Sequence, residues 1–283
     1  MSADAAVISN RVGIGHSYWR QIVPSATEKL RPVQPQPFDR VAAQNLELSG
    51  ANFPVIDFHT HLKGGLTLDE VLAHMRETGI GAGIEGFRQS IPKHAPCYIA
   101  LQCEGREWPT LFSNEAIAKF DYVFTDAMTI SDHRGKRTRL WLKDEVDIPD
   151  KQAFMDSLVS QIVKIMDNEP IAIYVNATYL PDVISAEYDA LWVSERMQKV
   201  INAAVRNNVA IEISARFKIP SAAFMNRTKA AGLNFTLGTN NPDKEMDRLE
   251  YSLQMVKECG LNWQDMWMPK PDGQKPAQVK VKR

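Results

Sequence analysis

From residue 53 onward, short apolar runs bounded by polar residues alternate with longer stretches of helical period. The runs are PVIDFH (54–59), GAGIEGF (81–87), CYIALQCE (97–104), YVFTDA (122–127), IAIYVNA (171–177), VAIEISA (209–215) and NFTLGTN (234–240), seven in all. Each has the length of a buried parallel strand, and the near-continuous apolar character fits a strand covered on both faces. Between them the spacing predicts helices over 67–78, 113–119, 150–167, 185–207, 220–231 and 244–259. The stretch 185–207 opens on Ser185, a favourable N-cap residue, and sets Leu191, Met197, Val200, Ile201 and Val205 along one side. Such alternation belongs to an α/β fold, a parallel sheet, closed or open, covered by helices. Residues 1–52, with PVQPQPF at 32–38 and no sustained period, predict an N-terminal arm with one short helix near Tyr18 to Ile22. The domain proper then spans 53–269, and 270–283 predicts a mobile, solvated C-terminal tail.

In closed barrels of this class the reacting groups come from the C-terminal ends of several strands and the loops after them. Those ends carry His59 and His61, then Glu85, Glu104, Asp126, Asn176, Glu212 with Arg216, and Asn240 with Asn241. A ring of polar and ionisable residues at successive strand ends predicts a polar site at the barrel mouth. Within it, Val55-Ile56-Asp57-Phe58-His59-Thr60-His61 carries the sharpest signal. Residues two apart in a strand share a face, so both imidazoles aim at one point. Neutral imidazole nitrogens there suit Zn, Mn or Fe, and Asp57 points with them or orients them from behind.

Composition narrows the function classes. The chain has 33 Lys+Arg against 34 Asp+Glu, a formal charge of -1, without the basic excess of a nucleic-acid binder. No run approaches the roughly 18 to 20 apolar residues of a membrane helix. The first residues, MSADAAVISNRVGIG, lack the basic and apolar regions of a signal peptide, so the chain as written reads as cytoplasmic, with an exported protein already trimmed still open. Cys97, Cys103 and Cys259 are too few and too scattered for a disulfide framework. Gly81 to Gly86 formally satisfies GxGxxG, but a helix precedes it and QSIPKHAP follows, the wrong context for a dinucleotide loop. A small-molecule substrate remains as the expected partner, with no nucleic acid and no membrane.

The DFHTHL segment resembles the first motif of the PHP (polymerase and histidinol phosphatase) family, and also that of the amidohydrolase superfamily. LQCEGREW resembles the strand-three glutamate motif of the PHP family, FDYVFTDAMT its FDYV strand, and AIEISARFKIP with FTLGTNN its last two strands. The resemblance spans residues 53–269. It implies a distorted (β/α)7 TIM-like barrel and a metal-dependent hydrolase that typically cleaves phosphate esters. Carried over residue by residue, it implies His59, His61 and Glu104 as metal ligands. The departures are specific: GIGAGIEGFRQ lacks the second motif's Asp-His pair, and Thr125-Asp126-Ala127-Met128 stands where the fourth strand normally delivers a histidine. Asn176 replaces the fifth strand's histidine, and Asn240-Asn241-Pro242 the terminal Asp-x-His. With so few ligands left, the expectation is one divalent ion, or at most two, with Asp126 as a substitute carboxylate.

The remaining roles follow from chemistry at the mouth. Asn176, Asn240 and Asn241, together with Glu212, are candidates to bind substrate, since amides and carboxylates hydrogen-bond sugars and amides also reach phosphates. Lys63, Arg106 and Arg216 are candidates to hold an anionic group and the charge that develops on it. His133, in SDHRGKR shortly after the fourth strand, is a candidate general acid, and Asp126 a second ionisable group for proton transfer. Two rival readings remain: a degenerate PHP-like barrel that binds a sugar or metabolite without phosphatase activity, and an amidohydrolase-type or sugar isomerase barrel. The ligands an amidohydrolase requires on its later strands are not found at those places.

Overall fold

The computed structural model describes residues 48, 53–85, 97–246 and 248–280. Seven parallel strands close into a barrel in the order β1 (Ile56–His61), β2 (Gly81–Glu85), β3 (Tyr98–Cys103), β4 (Tyr122–Thr125), β7 (Ile173–Tyr174), β8 (Ala210–Ser214) and β9 (Phe235–Gly238). The seam is the pairing of Asp57 on β1 with Leu237 on β9. Every apolar run therefore supplies a stave, and the sheet is closed. Most of the expected N-terminal arm, with Tyr18 to Ile22 and His16, lies outside the described residues, as does His94.

Two apolar layers hold the barrel. Inside, Phe58 packs against Tyr98, Tyr122 and Trp267 with ring centroids 5.8, 5.5 and 5.4 Å away. Tyr98 and Tyr122 open their strands, and the Trp267 backbone donates to Phe235 at the start of β9. This aromatic plug fills the N-terminal half of the barrel and leaves polar side chains to the other half. Edge-to-face geometry within it adds about 0.5–1.5 kcal/mol per pair beyond area burial. Outside, the wall packs on helices whose apolar stripes follow the expected period. Met155, Leu158, Ile162, Ile165 and Met166 of α4 (Lys151–Asn168) and Val200, Ile201 and Ala204 of α7 (Ser194–Asn207) are all buried.

Local chemistry sets the helix limits. In α1 (Leu68–Thr78), the Thr67 hydroxyl accepts the Glu70 amide and the Glu70 carboxylate accepts the Thr67 amide, while Gly79 ends the helix at φ 71°. The long helix expected over 185–207 is three pieces: α5 (Asp182–Ser185), α6 (Tyr188–Leu191) and α7. Ser185 closes the first piece instead of opening the whole. The break comes at Trp192, buried with its indole N–H donated to the Thr178 carbonyl at 2.9 Å, after which Val193 is extended. Burying that indole outweighs continuing the helix.

Two features lie beyond the expected pattern. After β4 the chain makes a hairpin, β5 (Thr129–Ser131) with β6 (Arg137–Arg139), in a stretch where the apolar pattern predicts no strand. Its turn is set by Asp132, which accepts the Arg134 and Lys136 amides, and by Gly135 at φ 77°. The segment expected as a mobile tail is docked in its described part. Ala277 of α10 (Pro276–Val279) is buried, Lys275 donates to the Ala118 and Phe120 carbonyls, and Lys280 donates to those of Met166 and Glu169. Each lysine thus satisfies carbonyls left over at or just past a helix C-terminus.

Candidate functional site

The site begins with an irregularity in β1. Asp57 pairs with Ala82 and Thr60 with Ile84, so Phe58 and His59 together oppose the single residue Gly83. This β-bulge changes the alternation of β1 at one point. Phe58 joins the aromatic plug, and His59 is also turned inward, its ring 4.7 Å from Phe124 and 5.0 Å from His61. Plain alternation would set Asp57 beside the two histidines; the bulge places it behind them. Its Oδ1 accepts the His59 amide and the Thr239 amide, both at 3.0 Å, capturing two N–H groups at the irregularity. Burial pushes the Asp57 carboxyl up to about 6 despite those donors.

Two glycines make room for this arrangement. Tyr122 donates its hydroxyl to the Phe58 carbonyl across Gly83, where a Cβ would sit 3.0 Å from Tyr122 Cζ. On β9, a Cβ on Gly238 would collide with the Glu212 carboxylate and come 2.9 Å from His59 Cβ. Both positions require hydrogen for packing reasons, which the sequence pattern does not reveal.

Glu212, on β8, is buried and meets His59 Nδ1 at 2.5 Å through Oε1, while its Oε2 accepts the Asn176 amide at 2.9 Å. A neutral imidazole that donates Nδ1–H to a carboxylate presents its Nε2 lone pair outward with ring orientation fixed. His59 Nε2 is buried and has no hydrogen-bond partner in the protein. Glu212, expected to bind substrate, is engaged in holding His59.

The side chains of Asn176 and Asn241 are similarly committed, and Asn240 is tied in through its backbone. Asn176 and Asn240 adopt left-handed backbone conformations, φ 51° and 48°, which asparagine tolerates better than most side chains. Asn176 Nδ2 donates to Asp126 Oδ2 at 3.0 Å and its Oδ1 accepts the Ser214 hydroxyl at 3.2 Å. Asn241, fully buried, accepts the His61 amide at 2.7 Å and donates to the His61 carbonyl at 2.9 Å, as a neighbouring strand would. Asn240 donates its amide to the His59 carbonyl, and its own carbonyl accepts from Arg216.

Asp126 sits just past β4, half-buried, with Oδ1 also accepting the Met128 amide. Burial raises its pKa; the two hydrogen bonds oppose that shift and the nearby Glu104 carboxylate adds to it. Glu104 is exposed at the rim. Arg216 is exposed, its guanidinium 5.0 Å over the Phe217 ring, and Lys63 is exposed on the loop after β1. Arg106 turns away from the mouth to Glu169. His133 lies exposed in the β5–β6 turn, 3.7 Å from Asp147.

A resident divalent ion can be tested against these donors. His59 offers a buried, oriented nitrogen with His61 beside it, but among the described residues no three His, Cys, Asp or Glu side chains gather into a ligand group. The four expected ligands are thus not assembled: Glu104 stands out at the rim, and both Asp126 oxygens are already held. The donor set fits one ion on the imidazole pair, with water and substrate completing its shell, and does not fit a cluster.

No family model matches the chain, and no curated protein matches it. Among solved structures it is similar to the histidinol phosphate phosphatase of Lactococcus lactis subsp. lactis, crystallised with Zn, L-histidinol and phosphate. The two share 14% identity with a TM-score of 0.53, over 74% of this chain and 94% of that one. The likeness is one of fold, a distorted (β/α)7 barrel.

Proposed function

We infer that the protein is a metal-dependent hydrolase acting at the barrel mouth on a phosphoester or another small anionic or polyol substrate. The observation that carries this reading is His59, with Nδ1 clamped by buried Glu212 and Nε2 buried and unpartnered. A carboxylate behind a histidine is the usual support of a metal-ligating imidazole. That a Zn-containing phosphatase has the same fold agrees with it. His59 and His61 would hold the ion, with water and substrate completing its shell and Glu104 the rim carboxylate free to approach it. A divalent ion there, Zn, Mn or Fe, supplies Lewis acidity and a water of lowered pKa.

The chain's own groups divide the remaining work. Glu212 fixes the His59 ring, and Asn176 fixes both Glu212 and Asp126. Asp126, its pKa raised by burial, retains its proton to higher pH than an exposed aspartate, the property needed to protonate a leaving oxygen. Arg216 and Lys63, both exposed, would meet an anionic substrate group.

Chelator-stripped protein titrated with Zn2+ or Mn2+ is expected to take up one ion per chain. His59→Ala and His61→Ala are expected to abolish uptake and to lower turnover of p-nitrophenyl phosphate by at least about 100-fold. Failure of the wild-type chain to bind either ion would sink the reading. A barrel that binds a metabolite without hydrolysing it is favoured by the lack of a three-ligand group among the described residues. Metal-dependent turnover that disappears in His61→Ala excludes that second reading.

A further inference from the structure

Behind the histidine pair, on the outer face of the barrel wall, lies a second polar cluster that the mouth does not use. Ile56 and Phe58 pack in the aromatic plug inside, so Asp57 between them faces outward. Asp57 opposes Ala82 and, past the bulge, Thr60 opposes Ile84; both β2 residues pack in the apolar layer beneath α1 with Val71 and Met75. On its other side Asp57 pairs with Leu237 of the outer core, and Thr239 follows two residues on, with the same facing. The three polar side chains therefore meet between the wall and the helices, on the face opposite the mouth chamber.

Asp57, Thr60 and Thr239 are 1%, 0% and 4% exposed. Asp57 Oδ1 accepts the Thr239 amide, so that residue lies against the carboxylate. Burial raises the Asp57 pKa, and the Thr60 hydroxyl is among the groups opposing the rise, which sets it beside the carboxylate as well. Yet Asp57 Oδ2, Thr60 Oγ1 and Thr239 Oγ1 each lack a hydrogen-bond partner in the protein. Buried polar atoms are nearly always satisfied by protein, water or an ion, so three unsatisfied oxygens at one place point to a ligand.

Charge identifies its class. The donors to Asp57 are two neutral amides, and among the described residues no lysine or arginine joins them. A carboxylate in an apolar layer is costly unless a cation compensates it. The three free atoms are hard oxygens, the donors that hard cations take. One carboxylate among neutral hydroxyls balances a single positive charge, whereas a divalent ion would leave an excess buried. We propose that a monovalent cation, Na+ or K+, binds here, held by Asp57 Oδ2 and the hydroxyl oxygens of Thr60 and Thr239. It would join β1 to β9 at the seam of the barrel and steady the carboxylate whose other oxygen holds the His59 amide at the bulge. The site does not rest on the hydrolase reading of the mouth.

The test is thermal melting of the full chain at pH 8 in NaCl, KCl and choline chloride at equal ionic strength, with EDTA present so that divalent ions play no part. At about 0.2 M salt, NaCl or KCl is expected to raise the melting temperature by about 2–4 °C over choline chloride, and the salt with the larger effect names the ion. Asp57→Asn is expected to melt alike in all three salts. Thr60→Val and Thr239→Val, which keep the side-chain shape, are each expected to remove roughly half or more of the difference, and they decide the matter if Asp57→Asn folds poorly. Equal melting of the wild-type chain in the three salts overturns the proposal and leaves water as the partner of these oxygens. A preference for Na+ or K+ that survives in Asp57→Asn, or in both threonine variants, overturns it too, because the ion then binds elsewhere.

Discussion

Asp57 is a carboxylate placed where ionisation is costly. Its Oδ1 holds two amides, its Oδ2 has no partner in the protein, and burial pushes its pKa up to about 6 from an ordinary value of 3.8. A folded-state pKa above the unfolded one means that folding takes up a proton, so the contribution is fully present below about pH 4 and is lost as pH rises through 6. The loss corresponds to about 2–3 kcal/mol. Asp57→Asn keeps an oxygen for the two amides and removes the charge. Urea denaturation at pH 5 and pH 8 is expected to show the wild-type chain less stable at pH 8 and the variant nearly level; equal pH dependence in both would contradict this origin. At this scale the sequence is informative about identity more than role. His59 and His61 stand out by spacing, whereas Glu212, Asn176 and Asn241 look like ligand-binding groups until their partners are seen to be a histidine, an aspartate and a strand backbone.

At the scale of elements, the seven apolar runs were readable because a buried parallel strand must be apolar on both faces. The β1 bulge was not, since a one-residue excess shows only in the partner strand's register. Helix breaks were equally hidden: a period cannot report that Trp192 finds a carbonyl at Thr178 and ends the run. The β8–β9 pair offers a sharp check of how the site is packed. Glu212 pairs with Thr236, and Gly238 closes over the Glu212–His59 contact. Gly238→Ala is expected to cost about 1–3 kcal/mol in stability, typical of overpacking, and to reduce Zn2+ affinity as the methyl displaces that contact. Unchanged melting temperature and affinity would mean that β9 yields freely there.

The whole molecule is closed from below by its C-terminal segment as well as by its core. Lysine-rich composition near the end suggested solvation, but Lys275 and Lys280 reach helix-end carbonyls on two different helices, a use invisible to a charge count. Removing residues 270–283 is expected to lower the melting temperature by several degrees, as for a loss of roughly 1–2 kcal/mol in a chain of this size. A truncated protein with an unshifted melting curve would show that the lysines add nothing.

The aromatic plug has a consequence for traffic. With Phe58, Tyr98, Tyr122 and Trp267 packed together, the described residues fill the N-terminal half of the barrel, so a molecule meeting His59 would come from the opposite end. A substrate of the proposed reaction would enter head first and leave by the same end, so the part that trails outward would meet solvent and the rim. Selectivity then concentrates on the leading group, and molecules sharing that group but differing in their tails are expected to compete for the same seat.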